Sequence, residues 1–190
     1  LEKTHLAQSL SEATQDSIYI QESGPENLGI KKKLTHEIDK ETPTNIPIAS
    51  STSGIPTSFY ANDVLGIHRC LVAHPINPPH LIPAVEVVPA PFTKGAVTQQ
   101  VKEIIRSINK VPIELTKEIP GFVVNRLQGA LLAEAFELKK EGIASAEDID
   151  TAISHGLGLR WSFMGPFQTI HLNAPEGISG YVERYEQMYK

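Results

Sequence analysis

The segment SIYIQESGPENLGIKKKLTHEIDKETPTNIPIASS, residues Ser17–Ser51, decides the predicted fold. Its start, Ser17–Glu22, alternates isoleucine with polar residues, which is typical of a strand. Pro25 suits the first turn of the helix that follows, because a proline there costs no hydrogen bond. The short apolar run Pro47–Ser51 then predicts a second strand. A strand, a helix and a strand in this order indicate two parallel strands of one sheet.

The same alternation continues toward the middle of the chain. Further elements are predicted as a helix over residues 1–15, strands at Cys70–Pro75 and Ala84–Pro89, a helix over Thr98–Ile108 and a strand at Pro112–Leu115. This order is typical of a parallel sheet with helices on its faces. We therefore predict the α/β class for this part of the chain.

A change in composition marks a predicted domain boundary. Six of the 14 prolines lie within residues 75–99, and none lies within residues 121–164. Because proline interrupts helices, the second region can form long ones. We expect an α/β domain over residues 1–117 and an all-α domain over residues 118–190.

The apolar spacing after Pro120 is helical throughout. A long helix is predicted to end at Gly142, since glycine is the usual residue just beyond a helix. The next helix is predicted to start at Ser145, with Asp148 in a capping-box position, and to end at Gly156. Two more helices are expected, separated at residues 175–177.

Composition excludes several classes of protein. The 190 residues carry 17 basic and 22 acidic side chains, a net charge of −5, which argues against a nucleic-acid partner. No apolar run reaches the length of about 18 residues that spans a bilayer, so we expect no membrane partner. The single cysteine, Cys70, fits a reducing compartment, and a cytoplasmic location is expected.

A histidine and a glutamate are the first candidates for chemistry. His74 stands at the carboxyl end of a predicted strand, where open α/β sheets place their ligands. Glu86 lies inside the next apolar run, and a carboxylate there is costly unless a donor or a cation meets it. The two side chains could pair as a base and its partner. The alternative is a histidine bonded to a backbone carbonyl and a glutamate on an exposed edge.

Two further segments offer polar groups. The turn Ser50–Pro56 carries four hydroxyls and a glycine, which suit a ligand oxygen or an ordinary Ser/Thr turn. Asn125 stands in the first turn of the long helix, either as a ligand donor or as a surface residue. The sequence contains no GxGxxG and no Walker A motif, and its histidines show no metal-ligand spacing.

These residues stand in motifs that resemble the 3-hydroxyacyl-CoA dehydrogenase family, and within it the L-gulonate 3-dehydrogenase (lambda-crystallin) branch. The matching stretches are IQESGPENLGIKKKL, ASSTSGIP, VAHPINPPHLIPAVEVVP, KEIPGFVVNRLQGALLAEA and GLGLRWSFMGPFQTIHLNAPEG. Their order is that of the family, and they span nearly all of residues 17–177. The resemblance implies a partial Rossmann-like sheet followed by a helical domain, with the family's GxGxxG unit absent from this chain, which resembles the middle of such an enzyme.

The resemblance also assigns roles to individual residues. It makes His74 and Glu86, twelve positions apart, the catalytic dyad. It makes Ser53, Asn77 and Asn125 substrate-binding residues. For the cofactor it implies Glu26 and Lys31 at the nicotinamide ribose, with contributions from Ser53 and Asn77.

The implied activity is the NAD-dependent oxidation of the 3-hydroxyl group of a small 3-hydroxy acid. A 3-hydroxyacyl-CoA substrate is the rival expectation, and a non-catalytic, crystallin-like or truncated oligomerisation protein is the alternative of another class. The family resemblance implies a homodimer formed through the helical domain.

Overall fold

The computed structural model describes residues 3–186 of the chain. Its strands are β1 (Ile20–Glu22), β2 (Ile48–Ser50), β3 (Cys70–Pro75), β4 (Ala84–Pro89) and β5 (Val111–Glu114). Its helices are α1 (Leu10–Thr14), α2 (Leu28–Glu41), α3 (Gly95–Ser107), α4 (Val124–Lys140), α5 (Ala146–Thr151), α6 (Gly158–Trp161), α7 (Pro166–Asn173) and α8 (Gly177–Tyr185). A π-helical segment, Ala152–Leu157, joins α5 to α6.

The five strands form one sheet in the order β1-β2-β3-β4-β5. The pairs β1–β2, β2–β3 and β4–β5 are parallel, and β3–β4 is antiparallel. The α/β class is confirmed, but the expectation of parallel pairing throughout is wrong for β3 and β4. Residues 76–83 are too short for a crossover, which needs a dozen or more residues, so the chain returns as a hairpin.

Each face of the sheet carries its own core, because successive side chains of a strand point to opposite faces. On one face, Leu71 and Ala73 of β3 pack with Val101 and Ile105 of α3. On the other face, one cluster packs Ile38 of α2 against β2 and β3. A second cluster on that face packs Val72, Val88, Leu115 and Phe122 together. Both faces of the sheet centre are therefore dry.

A buried ion pair ties α2 to the start of β3. The side chains of Arg69 and Asp39 are 2% and 7% exposed, and Nη2 lies 2.7 Å from Oδ1. The guanidinium also donates to the backbone carbonyls of Thr42 and Ile46, both at 3.1 Å. The planar guanidinium thus satisfies backbone carbonyls of the loop between α2 and β2, which make no hydrogen bond within the sheet.

After β5, the regular elements of the described chain are all helices. The chain forms two compact units that divide between Gly129 and Ala130, inside α4. The predicted domain boundary between residues 117 and 118 stays a prediction. Ser145 caps α5 as expected, since its hydroxyl accepts from the Asp148 amide at 3.0 Å, and Gly142 follows α4 with a φ of 71°.

Three predicted helix ends are wrong. Pro25 lies before the helix that it was expected to open, because α2 begins at Leu28, where the Asn27 side chain caps it by accepting from the Ile30 amide at 3.1 Å. The helix expected over residues 1–15 begins only at Leu10, because the Ser9 hydroxyl caps it by accepting from the Glu12 amide at 3.2 Å. Residues 1 and 2 lie outside the described chain. The helix expected to end at Gly156 continues to Trp161, because Gly156 lies within the π-helical segment and lacks the positive φ of a helix-ending glycine. No helix within residues 3–186 is both long and apolar enough to cross a membrane.

Candidate active site

The antiparallel pairing of β3 with β4 sets His74 directly opposite Glu86. Opposed residues of such a pair have neighbouring side chains, and here His74 Nδ1 lies 2.8 Å from Glu86 Oε2. His74 is 5% exposed and Glu86 is fully buried. The two predicted catalytic residues therefore form one buried hydrogen-bonded pair.

The second oxygen of Glu86 is held by the backbone. Its Oε1 accepts from the amides of Val123 and Val124 at 2.8 and 2.9 Å, at the start of α4. Burial raises the pKa of Glu86, but the hydrogen bonds from His74, Val124 and Val123 outweigh it and hold this pKa below its ordinary value of 4.5. Glu86 is thus an anion at neutral pH.

An ionised Glu86 decides which nitrogen of His74 can react. The carboxylate is an acceptor only, so His74 Nδ1 carries a proton and donates it. The other nitrogen, Nε2, then has a free lone pair and can take a proton from a ligand. The carboxylate behind the ring also stabilises the imidazolium that forms.

The turn before α4 aims the two amides at Glu86. Gly121 and Phe122 both have positive φ angles, 77° and 48°. That conformation is easy for glycine and strained for phenylalanine. The Phe122 ring is fully buried and lies 5.8 Å from the His74 ring, which it helps to shield from water.

A second group of predicted residues meets at the serine turn, which we define as residues Ser50–Ile55. Glu26 Oε1 accepts from the Thr52 hydroxyl at 2.5 Å and from the amides of Ser53 and Gly54 at 3.1 and 3.3 Å. Thr52 Oγ1 in turn accepts from the Ile55 amide at 3.0 Å. The carboxylate organises the turn as a bound anion would.

Two contacts join the serine turn to the turn before α4. Asn125 Nδ2 donates to the Ser53 carbonyl at 2.7 Å, and the Gly121 amide donates to the Gly54 carbonyl at 3.1 Å. A Cβ atom on Gly54 would lie 3.3 Å from the Gly121 nitrogen, so the approach favours glycine. The structure thereby brings Ser53, Asn125 and Glu26 together. The turn before α4, which contacts the serine turn, also supplies the amides that bind Glu86.

Lys31 and Asn77 lie differently from their neighbours in the prediction. The Lys31 ammonium contacts Glu22 rather than Glu26, and the lysine is fully buried. Asn77 is an exposed residue of the loop after β3, joined to Pro78 by a cis peptide bond. Within residues 3–186, no hydrogen bond links the Asn77 side chain to His74, Ser53 or Asn125.

Sequence reasoning missed three parts of the site: Glu22, Phe122 and the backbone amides of Val123 and Val124. Glu22 has a signal, because a carboxylate in the strand IYIQE needs a partner if it is buried. The backbone donors have none, since every residue except proline carries an amide.

Family models match nearly the whole chain. The model of the 3-hydroxyacyl-CoA dehydrogenase NAD binding domain matches residues 1–119. The model of the C-terminal domain of 3-hydroxyacyl-CoA dehydrogenase matches residues 121–190. The first of these identifies NAD as the cofactor of the family.

Individual proteins of the same family are also similar to this chain. The chain is 42% identical to lambda-crystallin of Oryctolagus cuniculus over 182 residues, which are 96% of this chain and 57% of that protein. It is 46% identical over 170 residues to a 3-hydroxyacyl-CoA dehydrogenase of Gibberella moniliformis, covering 89% of this chain and 53% of that protein. The chain thus spans about half the length of the curated relatives it matches.

A solved structure shares the fold. The crystal structure of 5-formyl-3-hydroxy-2-methylpyridine 4-carboxylic acid 5-dehydrogenase, described as an NAD⁺-dependent dismutase, superposes with a TM-score of 0.84 at 31% identity. The match covers 94% of this chain and 55% of that one. By both family models and by these relatives, the chain belongs to the 3-hydroxyacyl-CoA dehydrogenase family.

Proposed function

We propose that the protein containing this chain oxidises the 3-hydroxyl group of a 3-hydroxy acid with NAD⁺, in the manner of an L-gulonate 3-dehydrogenase. The observation that carries the proposal is the buried pair of His74 and Glu86, at 2.8 Å, with Glu86 anchored by two backbone amides. A base that is oriented by an ionised partner is what deprotonation of an alcohol requires.

His74 is the general base of the proposed reaction. Its Nε2 takes the proton of the substrate hydroxyl, and returns it in the reverse direction. Glu86 keeps Nδ1 protonated and stabilises the cationic ring that forms when Nε2 takes up the proton. The redox chemistry of this reaction would come from bound NAD⁺ as the hydride acceptor, which Glu26 and Ser53 would help to hold.

The polar groups at the serine turn suit the ribose end of the cofactor. Only one oxygen of Glu26 is engaged by the turn, so the other can accept from a sugar hydroxyl, and Ser53 is exposed beside it. We assign Glu26, Lys31, Ser53 and Asn77 to the cofactor, and Ser53, Asn77 and Asn125 to the substrate oxygens. The family resemblance supports these roles. The sequence contains no GxGxxG for the pyrophosphate.

A homodimer is part of the same proposal. Large apolar side chains of the helical part are exposed, among them Phe136 of α4 at 67% and Phe167 of α7 at 73%. An apolar surface of this kind is typical of a protein interface. The occupant we propose is a second copy of the chain.

The test compares substrates with the natural gene product that contains this chain. We expect NADH formation with L-gulonate, and His74→Gln should abolish most of the turnover. A rate with 3-hydroxybutyryl-CoA alone would replace the gulonate assignment with the acyl-CoA assignment, which the Gibberella moniliformis relative favours. Wild-type turnover in the His74→Gln variant would contradict the dyad, and inactivity toward L-gulonate, carnitine and the CoA thioester alike would favour a crystallin-like role.

A further inference from the structure

A fully buried ion pair lies beneath the serine turn. Lys31 Nζ lies 3.0 Å from Glu22 Oε2 and 3.4 Å from Oε1, and it also donates to the Gly24 carbonyl at 3.2 Å. The two side chains are 1% and 2% exposed. All three contacts of the ammonium are therefore made inside the protein.

Glu22 connects this pair to the serine turn. The Ser50 hydroxyl donates to Glu22 Oε2 at 2.5 Å and accepts from the Thr52 amide at 3.2 Å. The Ser51 amide donates to the Glu22 carbonyl at 2.7 Å. Thr52 then donates to Glu26, so the chain of hydrogen bonds runs from Lys31 to the carboxylate that organises the turn.

We propose that Glu22 is a positioning residue for the serine turn, and that the buried ammonium of Lys31 holds the Glu22 carboxylate in place. Glu22 fixes the start of the turn through Ser50, while Glu26 fixes its end through Ser53 and Gly54. This inference rests on the proposed function, because it gives the turn its task of presenting Ser53 to the cofactor and the substrate.

The burial of the pair supports a positioning role. Enclosing two charges costs solvation free energy, and an apolar pair of similar volume often stabilises a fold as well or better. A carboxylate with several directed acceptor sites does what an apolar residue cannot, since it binds Lys31, Ser50 and the Gly24 amide at once.

The second buried ion pair of the chain's first unit provides a matched control. The side chains of Arg69 and Asp39 are 2% and 7% exposed, nearly as enclosed as those of Lys31 and Glu22, and Asp39 lies on α2 with Lys31. Their contacts reach the loop before β2 and the turn before β3, and none reaches the serine turn. Asp39→Asn thus removes one buried carboxylate without changing a contact of the turn.

The experiment measures amide hydrogen exchange and kinetics of the natural gene product that contains this chain. In Glu22→Gln we expect the amides of Thr52, Ser53 and Gly54 to exchange about 10-fold faster without cofactor, since their local opening becomes easier. The KM for NAD⁺ should rise by about 10-fold while kcat stays within about threefold, because His74 and Glu86 keep their contacts. Asp39→Asn should lower the unfolding temperature and leave both readouts at wild-type values.

A double variant protects the test against misfolding. Glu22→Leu/Lys31→Met removes both charges, so no unpaired charge stays buried. It should fold and show the same faster exchange and raised KM. A folded double variant with wild-type exchange and wild-type KM would overturn the proposal, as would an Asp39→Asn variant that reproduced both changes.

The outcome is separable from that of the proposed function. Amide exchange is measured without cofactor or substrate, so it reports on Glu22 even if the activity assignment is wrong. The His74→Gln variant tests the dyad and should leave exchange in the serine turn unchanged. Loss of turnover in His74→Gln together with an unchanged turn in Glu22→Gln would refute the positioning role alone.

Discussion

Glu86 shows at the scale of one residue how a buried charge is kept. Its side chain is fully enclosed, and its two oxygens accept three hydrogen bonds, from His74 and from the amides of Val123 and Val124. An unpaired carboxylate at such a depth would take up a proton. Because all three partners are donors, they stabilise the anion, and the anion in turn sets the tautomer of His74.

Glu86→Gln should impair catalysis more than folding. The amide keeps the shape of the side chain, but it no longer carries the charge that stabilises the His74 imidazolium. We expect kcat to fall by about 10²–10⁴-fold, the usual range for general acid–base assistance, and stability to fall by about 1–3 kcal/mol, because one polar contact becomes mismatched. Glu147→Gln, at an exposed glutamate of α5, is the control and should match the wild type. Steady-state kinetics and urea unfolding measure both effects, and an unchanged kcat in Glu86→Gln would remove the carboxylate from the mechanism.

Glu86 should also make stability depend on pH. Because the pKa of Glu86 is lower in the folded chain than its ordinary value of 4.5, its contribution to stability is fully present above that value. The contribution is lost as the pH falls through the lowered folded pKa. Urea unfolding between pH 7 and pH 3 should therefore show a steeper loss for the wild type than for Glu86→Gln. Parallel pH curves for the two proteins would contradict the lowered pKa.

At the scale of elements, the turn before α4 joins the sheet to the helix that serves it. Gly121 and Phe122 adopt positive φ angles in succession, and the next two amides point at Glu86. The strained backbone of Phe122 is held by the full burial of its ring. The start of α4 therefore positions Glu86, just as the pairing of β3 with β4 positions His74 opposite it.

Gly121→Ala tests the turn. A Cβ atom at Gly121 would meet nothing closer than 3.6 Å, so the cost lies in the positive φ and not in a clash. We expect a loss of about 1–2 kcal/mol in the free energy of unfolding and a lower kcat, since the donors to Glu86 shift. Gly129→Ala in α4 is the matched control, with open space around it, and should stabilise by up to about 1 kcal/mol. Equal effects of the two variants on unfolding and kcat would show that the turn has no special role.

At the scale of the whole molecule, the described chain has a well-packed sheet and helices that leave large apolar side chains exposed. None of the residues of α4 or α5 is buried. The sheet, by contrast, has dry clusters on both faces. This contrast supports the proposed second copy as the partner of the helical part.

Phe136→Glu should shift the natural gene product from dimer toward monomer. A charge in an apolar interface is costly, because it loses water without gaining a partner. Asn45→Glu, in the exposed loop before β2, adds the same charge away from those helices and should leave the dimer intact. Sedimentation velocity over a concentration series measures the change. A wild-type protein that is monomeric throughout the series would refute the homodimer.

Much of the fold and of the site could be predicted from the amino-acid sequence, because the signals involved are local. The strand-end position of His74, the carboxylate inside the run AVEVVP and the cap at Ser145 depend on a few neighbouring residues. The extent of α1 and the helix through Gly156 could not be predicted in this way. A helix end depends on whether packing continues it, and glycine is compatible with either outcome.

The sequence by itself determined the α/β order, the helical second part and the residue types available for proton transfer, because hydrophobic periodicity and spacing act over short distances. Only the tertiary structure decided which of those residues touch. The short hairpin set His74 opposite Glu86, His74 and two backbone amides together keep Glu86 ionised, and the Lys31 ammonium pairs with Glu22 rather than with Glu26. Contacts of this kind join positions far apart in the chain, and burial, which sets their strength, is a property of the packed molecule alone.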